Sequence, residues 1–224
     1  MTEAKRVVLD LEEKSIHDHI MEMGALARDT IKQATDCART MDHQAAQKVI
    51  DGDGWFNDQL RGIEHECVVA LASQQPVAGD LRRILTGLHI AQELERIADH
   101  SADIAKILLS MEQGPSDSGL DKLSQLGQLC SDMLDAVMEA YDSADADAAR
   151  KAAARDDEVD ELEQRIMQTY LEKMRTTPAR VELYTRILWI SHNLERIGDR
   201  VTNIAERVVF MVTGDTPDLN TSAE

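Results

Sequence analysis

Apolar residues recur at steps of three and four along almost the whole chain, the spacing that gathers side chains onto one stripe of an α-helix. The clearest run is Ile187, Ile190, Leu194, Ile197, Val201, Ile204, Val208 and Met211, a coiled-coil-like seam. A first helix is predicted over about 4–40, on Val7, Leu11, Ile16, Ile20, Met23, Leu26 and Ile31. A second covers about 43–74 and stops before Gln75-Pro76. The third starts at Gly79-Asp80, with Asp80 as its N-cap, and runs to about Met111 on the stripe Ile90, Leu94, Ile97, Ile104, Leu108 and Met111. Gln113 to Gly119, rich in Gly, Pro and Ser, reads as a linker. Helices over about 118–141, 144–175 and Pro178–Val212 follow, and Gly214 to Glu224 reads as a frayed tail.

The second half repeats the first. Leu94-Glu95-Arg96-Ile97-Ala98-Asp99 returns as Leu194-Glu195-Arg196-Ile197-Gly198-Asp199, and Asp103, Ile104 and Ala105 return as Asn203, Ile204 and Ala205. Upstream, Asp53, Asn57 and Ile63 correspond to Asp156, Asp160 and Ile166. Two tandem three-helix units, residues 1–114 and 115–224, are the simplest reading, each an antiparallel bundle.

Composition fits this layout. Of 224 residues 43% are hydrophobic and only 3% aromatic, and four prolines leave long stretches that nothing breaks. A β-sandwich or barrel needs β-branched and aromatic faces, so the fold class is all-α. A formal net charge of −18 excludes the clustered basic residues that nucleic acid requires, and an anionic membrane surface should repel the chain. No apolar run reaches the roughly 18–20 residues of a spanning helix, so direct membrane insertion is not expected. The N-terminus lacks the apolar core of a signal peptide. Cys37, Cys67 and Cys130 are odd in number and far apart, as expected of reduced residues in a cytoplasmic protein.

The acidic residues carry the chemistry. Glu195 and Asp199 are four apart and share a helix face turned from the seam, with Asn203 one turn on; Glu95, Asp99 and Asp103 do the same in the first unit. Asp156 and Asp160, and Asp53 and Asn57, repeat the spacing on the preceding helices. Like charges at this spacing repel by a few tenths of a kcal/mol, and solvated faces usually alternate sign, yet Lys106 is the first base on this face. Asn57 and Glu95 are equidistant from Pro76, as are Asp53 and Asp99; Asp160 and Glu195, and Asp156 and Asp199, are mirrored in the same way about the turn at Pro178. Equal counts from a hairpin turn place residues at equal height. Each unit is therefore expected to bring four carboxylates and one amide together: Asp53, Asn57, Glu95, Asp99 and Asp103, then Asp156, Asp160, Glu195, Asp199 and Asn203. Oxygen ligands without counter-charge suit divalent or trivalent metal ions such as Fe, Mn, Mg or Zn. The bland reading of such pairs is a solvated acidic face, and the mirrored placement in both repeats favours the metal.

Other patterns carry less. Asp51-Gly52-Asp53-Gly54 opens like a calcium loop but lacks its later glycine and glutamate. No Glu is followed three residues later by His, the signature of ferritin-like di-iron sites. His17 and His19 read as surface residues, while His100 and His192 flank the acidic faces. Neither a Gly-rich phosphate loop nor a nucleophile elbow occurs.

The segments Gln74-Gln75-Pro76-Val77-Ala78-Gly79-Asp80-Leu81-Arg82, Leu94 to His100, Arg155 to Asp160 and Leu194 to Glu206 together resemble the PhoU family of phosphate-transport regulators, over about Asp10 to Val212. The resemblance implies a cytoplasmic protein with multinuclear metal clusters on paired E/DxxxD motifs. It also implies an adaptor between two partners, the ATPase subunit of a phosphate ABC transporter and a phosphate-sensing histidine kinase, that represses the phosphate-starvation response. A homodimer is the expected assembly. Asn57, Ala98 and Asp103 depart from the pattern of the second repeat. The expected function is a non-catalytic regulatory adaptor; the alternative is a metal-dependent enzyme with a carboxylate-bridged surface cluster, whose open coordination position would activate water.

Overall fold

The computed structural model describes residues 3–112, 114 and 119–220. Among the described residues seven α-helices follow one another: α1 (Glu3–Thr40), α2 (His43–Gln74), α3 (Gly79–Leu109), α4 (Gly119–Asp142), α5 (Ala146–Ala153), α6 (Asp156–Thr176) and α7 (Val181–Thr213), with a 3-10 turn, Pro178–Arg180, leading into the last. No strand occurs among the described residues.

Local chemistry sets most boundaries. Asp42 caps α2 by accepting from the Ala45 amide at 2.9 Å, and Asp145 caps α5 by accepting from Asp147 and Ala148. Asp80 does not cap α3: that position belongs to Ala78, and Asp80 lies in the first turn, where its carboxylate meets the helix dipole and Arg6 at 2.7 Å. The tight interhelix turns put Met41, Gln75, Ala78 and Ala144 in the left-handed region. The helix expected over 144–175 is two helices, broken at Ala154-Arg155. Asp156, Asp157 and Glu158 then form the first turn of α6, where a helix N-terminus favours negative charge.

The predicted seam of α7 is buried from Ile187 to Val208, as is the α3 stripe from Ile90 to Leu108. The α1 stripe differs in part: Val7, Leu11 and, further on, Leu26 are exposed, while Leu9 is fully buried, because the partner helices meet the other side of the first turns. All three cysteines are free and buried. No helix among the described residues is long and apolar enough to cross a membrane.

The repeats share one core. Helices α2, α3, α7 and the α5–α6 pair form a layer, and α1 and α4 lie against each other across one side of it. The centre of the layer is an antiparallel α3–α7 pair in constant register. Arg82 donates to the Met211 carbonyl at 3.4 Å, Thr86 to the Arg207 carbonyl at 3.3 Å, and Arg200 to Glu93 at 3.4 Å. Each step forward along α3 is thus matched by an equal step back along α7. The Glu93–Arg200 contact has its repeat image in Asn193 beside His100, so α3 and α7 meet about an approximate twofold. Hydrophobic contact runs without interruption from Leu9 to Val209 across both repeats. The expected linker, Gln113–Gly119, falls largely outside the described residues.

The stretch beyond α7 is not frayed over 214–220. Gly214, at φ 85°, reverses the chain, a conformation that glycine adopts without a Cβ clash. The Leu219 amide then donates to Glu206 at 2.9 Å, and the Asn220 amide donates to Asp199 at 3.2 Å. Residues 221–224 lie outside the described part.

Candidate metal site

In the first repeat, α2 supplies Asp53 and Asn57, and α3 supplies Glu95, Asp99 and Asp103. Asp53 approaches Asp99 to hydrogen-bond distance and acts on Glu95 as well. Burial, then Asp99 and Asp53, hold the Glu95 carboxyl above the usual carboxylate range; burial and Asp53 do the same to Asp99. Oδ1 of Asp53 is buried without a partner. Asn57 is half-buried one turn along α2. Asp103 is drawn to Lys106, whose ammonium donates to it at 2.8 Å.

In the second repeat, α6 supplies Asp156 and Asp160, and α7 supplies Glu195 and Asp199. Asp156 is only 9% exposed, and burial together with Asp160, Asp199 and Glu195 pushes its carboxyl up to about 7. The Thr202 hydroxyl is close enough to favour the charged form but does not form a well-aligned hydrogen bond. Glu195 is raised by burial and by Asp199, and is tempered by His192, whose Nδ1 lies 3.1 Å from Oε2. The alignment of that contact is poor, so Oε2 counts among the buried oxygens without a true hydrogen bond. Asn203 is turned away: its amide donates at 3.2 Å to Glu93 of α3.

Sequence reasoning missed Glu163, one turn beyond Asp160. It is 8% exposed and raised by burial and Asp160, with His192 acting against that rise. The signal was available, since a glutamate there interrupts the apolar stripe Val159, Ile166 and Tyr170 of α6 and sits where the first repeat has Leu60.

Gly198 explains how α6 comes so near α7. A Cβ there would stand 2.7 Å from Asp156 Oδ1 and 3.2 Å from Val159 Cγ1. The same backbone faces Cys130, whose thiol lies 3.2 Å from the Leu194 carbonyl and is pushed up by burial.

Both sites pair carboxylates from facing helices, leave buried oxygens unsatisfied, and hold protons above the normal range because burial and neighbouring carboxylates disfavour the charged form. Hard or borderline cations would relieve all three conditions, so the donor set fits a metal. As the side chains lie, no group of three or more His, Cys, Asp or Glu among the described residues is closed around a single ion position. Coordination would therefore require side-chain rotation within an acidic frame that the helices already hold.

A model of the PhoU domain matches residues 20–108 and again 123–208. The chain belongs to the PhoU family. It is 34% identical over 212 residues, 94% of this chain and 96% of the relative, to a phosphate-specific transport system accessory protein PhoU homolog of Clostridium acetobutylicum. A homolog of the same description from Pseudomonas aeruginosa is 31% identical over 91% of this chain and 84% of its own. The crystal structure of PhoU from Pseudomonas aeruginosa superposes with a TM-score of 0.88 at 31% identity, covering 92% of this chain and 99% of that one. The phosphate transport system regulatory protein PhoU from Streptococcus pneumoniae gives 0.86 at 28% identity, covering 94% and 99%. PhoU domains therefore coincide with the two repeats that carry the acidic sites.

Proposed function

We propose that this protein is a cytoplasmic, metal-binding regulator of phosphate uptake, which holds phosphate-starvation genes off when phosphate is abundant. Similarity along nearly the full length of a phosphate-specific transport system accessory protein carries the reading. The partners would be the ATPase subunit of the phosphate transporter and a phosphate-sensing histidine kinase, with a homodimer as the assembly. Long uninterrupted helices offer faces for such docking, and a net charge of −18 favours basic patches on the partners and makes association salt-sensitive.

Deleting the protein should leave phosphate-starvation reporters switched on in high phosphate. Normal repression in the deletion strain would sink this reading. Metal belongs to the same proposal: Asp156, Asp160, Glu195 and Asp199 would hold it in the second repeat, with Glu163 and His192 beside them. Asp53, Glu95 and Asp99 would hold it in the first, with Asn57 and Asp103 further out, as Asn203 is in the second. When bound, the ion supplies the positive charge that these sites lack. Elemental analysis of protein purified without chelators should find metal, and E195Q/D199N should lower its stoichiometry while circular dichroism stays unchanged.

A further inference from the structure

Bordering the first acidic site, on the α3–α7 pair, lies a cleft of about 340 Å³ lined by Arg96, Asp99, His100, Asp103, Lys106 and Arg196. Arg96 and Arg196 occupy the same position in the two repeats, and the antiparallel register brings both to this one cleft. Both are exposed. Among the described residues neither makes an ion pair, although the chain has 42 acids for 24 bases. Arg96 acts on Glu95 without pairing with it.

Each of the cleft's two carboxylates already has a partner. Asp103 pairs with Lys106 at 2.8 Å, and Asp99, exposed at the cleft, approaches Asp53 of the first acidic site to hydrogen-bond distance. His100 is 7% exposed, and its Nδ1 has no partner. Arg196 and Arg200 both act on that ring, so positive charge gathers here in an otherwise acidic molecule. Two guanidinium forks form a donor set for a tetrahedral oxyanion, because each fork can give two parallel N–H bonds to one anion.

We propose that the α3–α7 cleft binds one free inorganic phosphate ion between Arg96 and Arg196. The choice of phosphate among oxyanions rests on the regulatory reading above. The placement gives that reading a physical form: the ion would sit on the seam between the repeats and touch helices from both. An ion held there would couple the two acidic sites, since α3 and α7 each carry half of one.

Calorimetric titration of the full chain with inorganic phosphate tests this, both as purified and after chelation of metal. Saturable binding of one ion per chain is expected in both preparations. R96Q/R196Q should weaken it by about tenfold or more, since each fork contributes charge-assisted hydrogen bonds. R96K/R196K, which keeps the charge and loses the fork, should fall between, and serves if the glutamine variant misfolds by circular dichroism. Undetectable binding, equal binding by the folded glutamine variant, or binding confined to metal-loaded protein and indifferent to both variants would overturn the proposal. Phenyl phosphate separates a free ion from a phosphoryl group on a partner: tighter binding of the ester would overturn the free-ion assignment. Failure here with derepression in the deletion strain would leave the regulatory reading standing. Phosphate binding with normal repression in that strain would do the reverse.

Discussion

In the second repeat Asp156 sits 9% exposed at the first turn of α6, whereas its counterpart Asp53 lies half-buried in the middle of unbroken α2. Small substitutions account for the contrast. Gly198 and Val159 let α6 close onto α7, where the first repeat has the bulkier pair Ala98 and Phe56. Thr202 places a hydroxyl near Asp156, where Ala102 has none; Glu163 and His192 stand where Leu60 and Gln92 stand in the first repeat. The tail adds Asn220 against Asp199. One repeated motif therefore yields a more desolvated, more crowded site in the second repeat and a more open one in the first. The lesson is that an ExxxD pair sets which groups are present, while the helix packed against it sets how strongly they need a cation.

Metal analysis is the sharpest way to break this contrast. E195Q/D199N should remove the ion of the second repeat almost completely, while E95Q/D99N should leave most of the bound metal in place. Equal losses, or the reverse order, would show that desolvation does not rank the sites.

Close approach at Gly198 is the next largest effect. An alanine in mid-helix normally gains up to about 1 kcal/mol over glycine. Here its methyl would collide with Asp156 and Val159, so G198A should instead cost about 1–3 kcal/mol in urea unfolding. Ala98→Gly should lose only the helix-propensity difference, roughly 0.5–1 kcal/mol. A neutral or stabilising G198A would refute the account of helix spacing.

Proton linkage gives a smaller effect. The Asp156 carboxyl is raised from 3.8 to about 7 in the folded chain, so between those values the folded state holds a proton that the unfolded chain has released. Stability from this group is greatest below about pH 4, declines as pH rises through 7, and is lost above it. In chelated protein D156N should therefore stabilise by about 1–2 kcal/mol at pH 8, after allowance for solvent screening, and by little at pH 4. Thermal melts of D156N and the parent chain at the two pH values read the difference directly.

Much of the fold was legible in the chain. The boundaries of α2 and α3 follow from Asp42, Gln75-Pro76 and Gly79, and the buried α3 and α7 stripes are the ones their spacing predicts. Equal counts about the turns correctly set Asp53 opposite Asp99 and Asp156 opposite Asp199. The break at Ala154-Arg155 was not legible, because an alanine-rich stretch without Gly or Pro has every local reason to continue as helix. Nor was the turning of Asn203 toward Glu93, since its partner lies in the other repeat.

The chain by itself determined the helices, their duplication and the acidic faces, because these depend on local propensity and on periodicity within one element. Tertiary structure alone decided the α3–α7 register, the depth of Asp156 and the meeting of Arg96 with Arg196 in one cleft. Those depend on how bulky the contacts between distant helices are, and a single missing methyl at Gly198 is felt there only once both helices are in place.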